Sequence, residues 1–385
     1  MTKKDPFNAI RPYTDQELPY AVNRMLMNQG FIQSLANFIT DSSLPATVKR
    51  IRKITSCQQM QQEIFAPMIK TFIQRSVDHL SYDGFQDLDA NKSYLFIANH
   101  RDILLDSAIL QLYLYSKGLP TTKIAIGDNL LSSPIFTDIA KINNMFTVIR
   151  ANTPRTMLIN STLLSEYIRH NICKEKSSVW IAQRNGRTKD GLDKTQQGVL
   201  KMLYSSERIN VFQSLKKLNI VPVTISYEFE PCDRMKAREL ILTKKNKIYI
   251  KEHNEDYRSI TTGVFSYKGS VHLQFGQPID KFFDEKLTFN SANDQIQYVT
   301  NLIDEQMYKN YKLFPNNYLA YDMQNNTTRF QDKYTEIEKR EFLKHLNRQA
   351  NIEDVSFVKM KQTILAIYAN PVKAYLSLTE KDKTI

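Results

Sequence analysis

From Tyr94 to Phe275 the chain alternates between two kinds of segment, and that alternation restricts the fold more than any other feature. Short β-rich apolar runs occur at Tyr94–Ala98, Lys123–Ile126, Phe146–Ile149, Ser178–Ala182, Ile220–Ser226 and Val271–Phe275. Between them lie segments with helical spacing: Ile103–Tyr115, Pro134–Ile142, Pro154–His170, Gln197–Tyr204, Val211–Leu218 and Asp233–Leu240. Strands separated by helices predict an α/β fold with a mainly parallel central sheet flanked by helices. The flanks read differently. An amphipathic segment runs from Asp15 to Ala36. After the loop and helix-start signal Asp41-Ser42-Ser43-Leu44-Pro45, a second runs from Val48 to Leu80, kinked or divided at Pro67. Helical patterns return at Asn290–Tyr311, Thr335–Gln349 and Asp354–Ala369, the last stopped by Pro371, before a polar tail expected to fray. The expected organisation is a helical region over 1–88, an α/β domain over 89–285 and a helical region over 286–385.

In an open α/β sheet, reactive groups collect at the carboxyl ends of the strands. The first apolar run breaks there into Asn99-His100-Arg101-Asp102, and Asp106 follows in the first helical turn. An imidazole with carboxylates nearby can act as a general base. Each carboxylate also has a structural reading: Asp102 is a good N-cap, and Asp106 favours the helix dipole. A second block, Asn143 to Arg150, puts an arginine directly after a buried strand, on the same rim as His100. The third, Trp180 to Gly191, runs from a strand into a loop carrying Arg184, Asn185, Gly186, Arg187 and Lys189. Glycines there allow close backbone approach to a ligand, and Arg187 and Lys189 can grip a phosphate; a basic surface hairpin is the plainer alternative. The fourth block, Ile220 to Tyr227, is an apolar strand bearing Pro222.

These four blocks, in this order, resemble the glycerolipid acyltransferase family, whose pattern is NHxxxxD, an arginine after an apolar strand, an EGxR-like loop and an apolar strand with proline. The resemblance covers Tyr94 to Tyr227, with looser similarity to bacterial NHRD-containing members over most of the chain. It implies an enzyme, a glycerolipid O-acyltransferase of phospholipid biosynthesis. Such an enzyme moves a fatty acyl group from acyl-CoA or acyl carrier protein to glycerol 3-phosphate or 1-acylglycerol 3-phosphate. It further implies His100 as general base, oriented by Asp106 or Asp102, with Arg150, Arg187 and Lys189 on the acceptor phosphate and Asn99, Asn185 and Gly186 in support. No metal or bound cofactor is implied, since the acyl carrier is a co-substrate. Two positions depart from the pattern. The carboxylate falls one residue late, at Asp106, and Asn185 stands where the family has glutamate. The two departures together motivate an alternative, a catalytically impaired membrane- or lipid-binding paralogue of the same fold.

The remaining features set partners and compartment. A net charge of +12 predicts attraction to anions such as nucleic acid, an anionic membrane surface or phosphorylated substrates. No basic-aromatic RNA-binding motif accompanies it, so a nucleic-acid partner is not expected. No GxSxG, Walker or dinucleotide pattern is present. His79, His170, His253, His272 and His345 lack chemical partners in sequence, which favours core or surface roles. Cys57, Cys173 and Cys232 are widely spaced, as expected of reduced core thiols rather than a zinc site. Met1-Thr2-Lys3-Lys4-Asp5-Pro6 is followed by no apolar run of the signal-peptide kind, and nothing approaches the roughly 18 apolar residues of a membrane span. The expectation is a cytoplasmic protein associated peripherally with the inner membrane, where its product must enter the bilayer.

Overall fold

The structure is a computed structural model that describes residues 5–38, 43–131, 133–150, 153–252 and 254–381. Met1–Lys4, Asp41-Ser42, His253 and the end of the polar tail lie outside the described residues. Seven strands form one sheet in the order β1-β7-β6-β2-β5-β3-β4. They are β1 (His79–Asp83), β2 (Leu95–Ala98), β3 (Lys123–Gly127), β4 (Met145–Val148), β5 (Val179–Ala182), β6 (Ile220–Tyr227) and β7 (Ser270–Phe275). Strands β2 to β6 run parallel, β7 runs antiparallel to β6, and β1 pairs parallel with β7. The expected α/β sheet is therefore present in mixed form.

Alternation along the strands explains the two layers of core. Leu95 and Ile97 of β2 face one cluster, with Val179, Ile181 and Ile220. Phe96 and Ala98 face the other, with Trp180, Val221 and Val223. A period of two sends successive side chains to opposite faces, and helices cover both. The first face packs on α8 (Pro154–Arg169), α9 (Gln197–Tyr204), α10 (Val211–Lys216) and α13 (Ala292–Asn310). The second packs on α5 (Ala66–Ser76) and α6 (Leu105–Ser116).

The amino-terminal helices α1 (Leu18–Met27), α2 (Gln29–Phe38), α3 (Leu44–Ile51) and α4 (Cys57–Met60) form a separate apolar cluster against α7 (Pro134–Ile142). The expected long helix is interrupted not at Pro67 but over Arg52–Ser56; from Cys57 it runs on through a π-helical turn over Gln61–Phe65 and past Pro67, which sits in the first turn of α5. That helix also stops earlier than its pattern implied. It ends at Ser76, and His79–Asp83 is an edge strand, paired on one side only and half-buried. With a single partner and few apolar residues, β1 leaves almost no sequence signature.

After β6 come α11 (Asp233–Asn246) and α12 (Glu255–Phe265), and beyond α13 lie α14 (Pro315–Asn325), α15 (Glu336–Ala350) and α16 (Phe357–Lys381). Helices α12 and α14 were not apparent in the sequence. Pro371 does not stop the last helix, which continues to Lys381. Proline removes one bond to the carbonyl four residues earlier, that of Ile367. The backbone of Gly191 packs against that carbonyl so closely that a Cβ on Gly191 would lie 2.0 Å from its oxygen. Gly191 also holds φ +80°, a second reason for glycine there. On either side, Asn317 Nδ2 donates to the Tyr368 carbonyl at 2.9 Å, and Asn370 Nδ2 donates to the Asp190 carbonyl at 2.7 Å. Tertiary contacts thus carry the helix through its proline. Cys57 and Cys232 are buried, whereas Cys173 is exposed and is not the core thiol its spacing suggested.

Candidate active site

Strand β2 ends at Ala98, opposite Ala182 of β5 and Val223 of β6, so the segments leaving these parallel strands meet on one rim. Asn99 fixes the corner. Its Nδ2 donates to the Ile225 carbonyl at 2.9 Å and to Asp193 Oδ2 at 3.0 Å, while its Oδ1 accepts the Ile225 N–H at 2.7 Å. His100 follows, edge-on to Trp180 with ring centroids 6.0 Å apart.

The imidazole Nδ1 lies 2.9 Å from Asp106 Oδ2. That oxygen also accepts the backbone N–H groups of Arg101 at 2.6 Å and Asp102 at 2.8 Å, and Oδ1 accepts the Tyr227 hydroxyl at 2.8 Å. Four donors converge on one buried carboxylate, so its position is over-determined. Burial, then the nearby Asp106 carboxylate, hold the Tyr227 hydroxyl well above its ordinary pKa, so it stays a donor. The extra residue between His100 and Asp106 is taken up by the corner, which turns both N–H groups of Arg101 and Asp102 inward.

Asp102 does not touch His100. Its Oδ1 accepts the N–H groups of Leu104 and Leu105 at 2.9 and 2.8 Å, so it holds the turn leading into α6, whose N-cap position is Leu104 rather than Asp102. Its Oδ2 is buried with no hydrogen-bond partner among the described residues and faces Gly263 of α12. Burial and the Asp106 carboxylate raise the Asp102 pKa above its ordinary range.

Beneath the corner is a buried charge cluster that the sequence did not announce. Arg101 donates to Asp193 through Nη2 at 2.5 Å and Nε at 3.1 Å, to Glu230 through Nη1 at 3.0 Å, and to the Gly191 carbonyl at 3.2 Å. Lys236 Nζ reaches Glu230 at 2.5 Å and the Arg101 carbonyl at 2.7 Å. Burial opposes the Arg101 charge, but Asp193 and Glu230 outweigh it and hold the guanidinium well above its ordinary pKa. Asp193 further accepts the Thr188 hydroxyl at 3.0 Å, and the Thr188 N–H donates to the His100 carbonyl at 2.7 Å. The third-block loop is thus hooked to the histidine itself.

That loop and the end of β4 bring cations to the same opening. Asn185 is exposed, and its backbone N–H donates to Gln196 Oε1 at 2.7 Å; Gly186 follows at φ +74°. Arg184 Nε and Arg187 Nη1 are buried without an acceptor among the described residues. Lys189 is ion-paired with Glu239, and Arg150 lies 3.9 Å from Asp128, so a phosphate would compete with those carboxylates. Among the described residues, no group of three or more His, Cys, Asp or Glu gathers in a metal-binding arrangement.

The opening leads into a groove of about 1680 Å³. His100, Arg150, Arg184, Arg187 and Lys189 line it together with an apolar wall that includes Phe31, Phe65, Met68, Leu112 and Ile139. The amino-terminal helices supply part of that wall. His345 also bonds a carboxylate and a tyrosine, Asp233 Oδ2 at 2.6 Å with Tyr368, but it does not line the groove.

The third-block loop is braced from the far side as well. Asp304 of α13 accepts the Thr195 N–H at 2.7 Å, and burial pushes its carboxyl up to about 6. An unfolded aspartate titrates near 3.9, so between about pH 4 and 6 the folded chain binds the extra proton. The stability linked to this group is fully present below about pH 4 and is lost as pH rises through about 6. Asp304→Asn is expected to flatten that part of the stability–pH curve, followed as the urea midpoint; a slope equal to wild type would contradict it.

No described helix is long and apolar enough to cross a membrane. No curated protein matches the chain. One solved structure with similarity is the 1-acyl-sn-glycerophosphate (LPA) acyltransferase PlsC from Thermotoga maritima. It is 13% identical with a TM-score of 0.35, over 75% of this chain and 92% of that one. Residues 79–226 match the family model described as Acyltransferase. The matched stretch begins with the first residue of β1 and ends one residue before the close of β6, so the segment similar to that family includes His100, Asp106 and the Arg184–Lys189 loop.

Proposed function

We propose that the protein transfers a fatty acyl group from a thioester, acyl-CoA or acyl carrier protein, to a hydroxyl of glycerol 3-phosphate or 1-acylglycerol 3-phosphate. The observation that carries this reading is the His100–Asp106 pair, with His100 lining an apolar groove that Arg184 and Arg187 also line, each with one buried guanidinium nitrogen that has no acceptor among the described residues. Asp106 occupies Nδ1, which leaves Nε2 as the base. Nε2 takes the proton of the acceptor hydroxyl as its oxygen bonds to the thioester carbonyl carbon. The C–S bond then breaks, and the proton on His100 passes to the departing thiolate. Asp106 orients the ring and stabilises the imidazolium, as in a serine-protease triad without the serine. Arg187, with Arg184, Arg150 and Lys189, holds the acceptor phosphate, and the apolar wall takes the chain. A thioester is already activated, so positioning and proton removal are the main work left to the protein.

The test is ester formation by the purified chain. Each acyl donor is offered with glycerol 3-phosphate and, separately, 1-acylglycerol 3-phosphate, for wild type and Asn185→Glu. Wild-type turnover supports the reading and identifies the acceptor. Turnover by Asn185→Glu alone would identify a site disabled at Asn185, the impaired paralogue. Absence of turnover from both would overturn the proposal.

A further inference from the structure

Three carboxylates line the groove among the described residues: Asp15, Glu239 and Asp256. Two of them are engaged elsewhere. Asp256 accepts from Lys251 at one oxygen and from Asn129 at the other, and Asp15 Oδ1 accepts the Cys57 N–H at 2.8 Å in the amino-terminal cluster. Glu239, on α11, differs. Its Oε1 accepts from Lys189, whereas its Oε2 makes no hydrogen bond among the described residues and is open to solvent. The side chain as a whole is only 14% exposed. A carboxylate offers about four lone-pair sites, so a largely covered one with an unused oxygen has room for a donor and gains by finding one.

Glu239 is tied to the base through the third-block loop. Lys189 follows Thr188, whose N–H donates to the His100 carbonyl at 2.7 Å and whose hydroxyl is fixed by Asp193. The loop offers the groove no carboxylate of its own. Position 185 is asparagine, and Asp190, whose Oδ1 accepts the Leu192 N–H at 3.0 Å, does not line it. The charged groups on this side, Arg150, Arg184, Arg187 and Lys189, are donors only. They suit a phosphate and cannot accept from a hydroxyl. Lys189 has three N–H donors, so a phosphate that competes for it can share it with Glu239.

We propose that Glu239 binds the acceptor hydroxyl that is not acylated, and so selects a glycerol phosphate with two free hydroxyls. One hydroxyl gives its proton to His100, the other donates to Glu239 Oε2, and the phosphate takes the cations. A hydroxyl donating to a carboxylate forms a charge-assisted bond, about twice as strong as a neutral one. In 1-acylglycerol 3-phosphate that hydroxyl is an ester, which donates nothing and sets its oxygens against the carboxylate. A site built to bond a hydroxyl rejects the analogue lacking it, because its own polar group is left unpaired. The inference rests on the acyl-transfer reading and narrows the acceptor to glycerol 3-phosphate.

The experiment is calorimetric titration of the full chain, without an acyl donor, for wild type, Glu239→Leu and Glu239→Gln. The ligands are glycerol 3-phosphate, 1-butyrylglycerol 3-phosphate and inorganic phosphate, the last as reference because losing Glu239 also frees Lys189. Affinity for glycerol 3-phosphate relative to phosphate is expected to fall about tenfold or more in Glu239→Leu. It should fall less in Glu239→Gln, whose amide oxygen still accepts. Relative affinity for the butyryl ester should fall in neither variant. Thermal unfolding checks the fold, and if Glu239→Leu does not fold the glutamine variant carries the comparison. Unchanged relative affinities, an equal loss for glycerol 3-phosphate and its ester, or no binding of glycerol 3-phosphate by wild type would each overturn the proposal. An active enzyme with unchanged affinities removes this role and leaves acyl transfer standing. The expected loss in a chain that forms no ester keeps the hydroxyl site and removes the reaction.

Discussion

His100→Ala is expected to lower the rate of ester formation by about 10²–10⁴-fold, the usual worth of a positioned general base. The fold should survive the change. Asp106 keeps its bonds from the Arg101 and Asp102 N–H groups and the Tyr227 hydroxyl, so no buried carboxylate is orphaned. Near-UV circular dichroism and the urea midpoint check that point. Asp106→Asn separates orientation from charge. Asparagine can present its carbonyl oxygen to the imidazole and the two N–H groups while its amide donates to the Tyr227 oxygen. The ring stays in place but the imidazolium loses its counter-charge, so the rate should fall, and by less than in His100→Ala. A His100→Ala enzyme within tenfold of wild type would remove the histidine from the chemistry.

The second large effect concerns stability. Arg101→Met is expected to destabilise the protein by about 3–5 kcal/mol, the cost of breaking a buried ion pair by removing one partner. Wild type balances Arg101 and Lys236 against Asp193 and Glu230; the variant leaves one cation facing two buried carboxylates. Methionine fills much of the volume, so the loss measures charge rather than a cavity. Denaturant unfolding measures the change, and a loss below about 1 kcal/mol would mean that the carboxylates are relieved by water or protonation. The Thr188 tether to the His100 carbonyl depends on Asp193, so the variant should also lose activity.

These two experiments address parts of the site that differed in legibility. The central strands were readable because apolar β-rich runs bounded by polar corners have few other uses, and their ends fell within a residue or two of expectation. His100 and Arg150 could be picked out because each follows such a strand within two residues, whereas Asp106 and Arg187 lie farther along the polar corners and were singled out with the help of the motif resemblance. Choosing between Asp106 and Asp102 needed the corner's path, since only its inward-turned N–H groups show which carboxylate is shared with the imidazole. Asp193, Glu230 and Lys236 carry no local signal; they become partners of Arg101 only when three separate segments converge. Tyr227 was visible as the end of an apolar strand, but its role depends on a contact 121 residues away in sequence. Pro371 misled for the opposite reason. A local helix-breaking rule applied correctly, and contacts from Asn317, Asn370 and the Gly191 backbone overrode it.

The close approach of Gly191 to Ile367 also bears on how the protein is made. Asp190 and Asn370, which tie the same junction, are 180 residues apart. A nascent chain emerging from the ribosome can pair β2 with β5 and β6, and can bring His100 to Asp106, long before α16 has been synthesised. During that interval the backbone of Gly191 has nothing to rest against, and the loop bearing Arg184 and Arg187 has its Thr188 tether and its Asp304 brace but not its junction with α16. The groove is therefore finished late in translation, by a helix that contributes no atom to its lining.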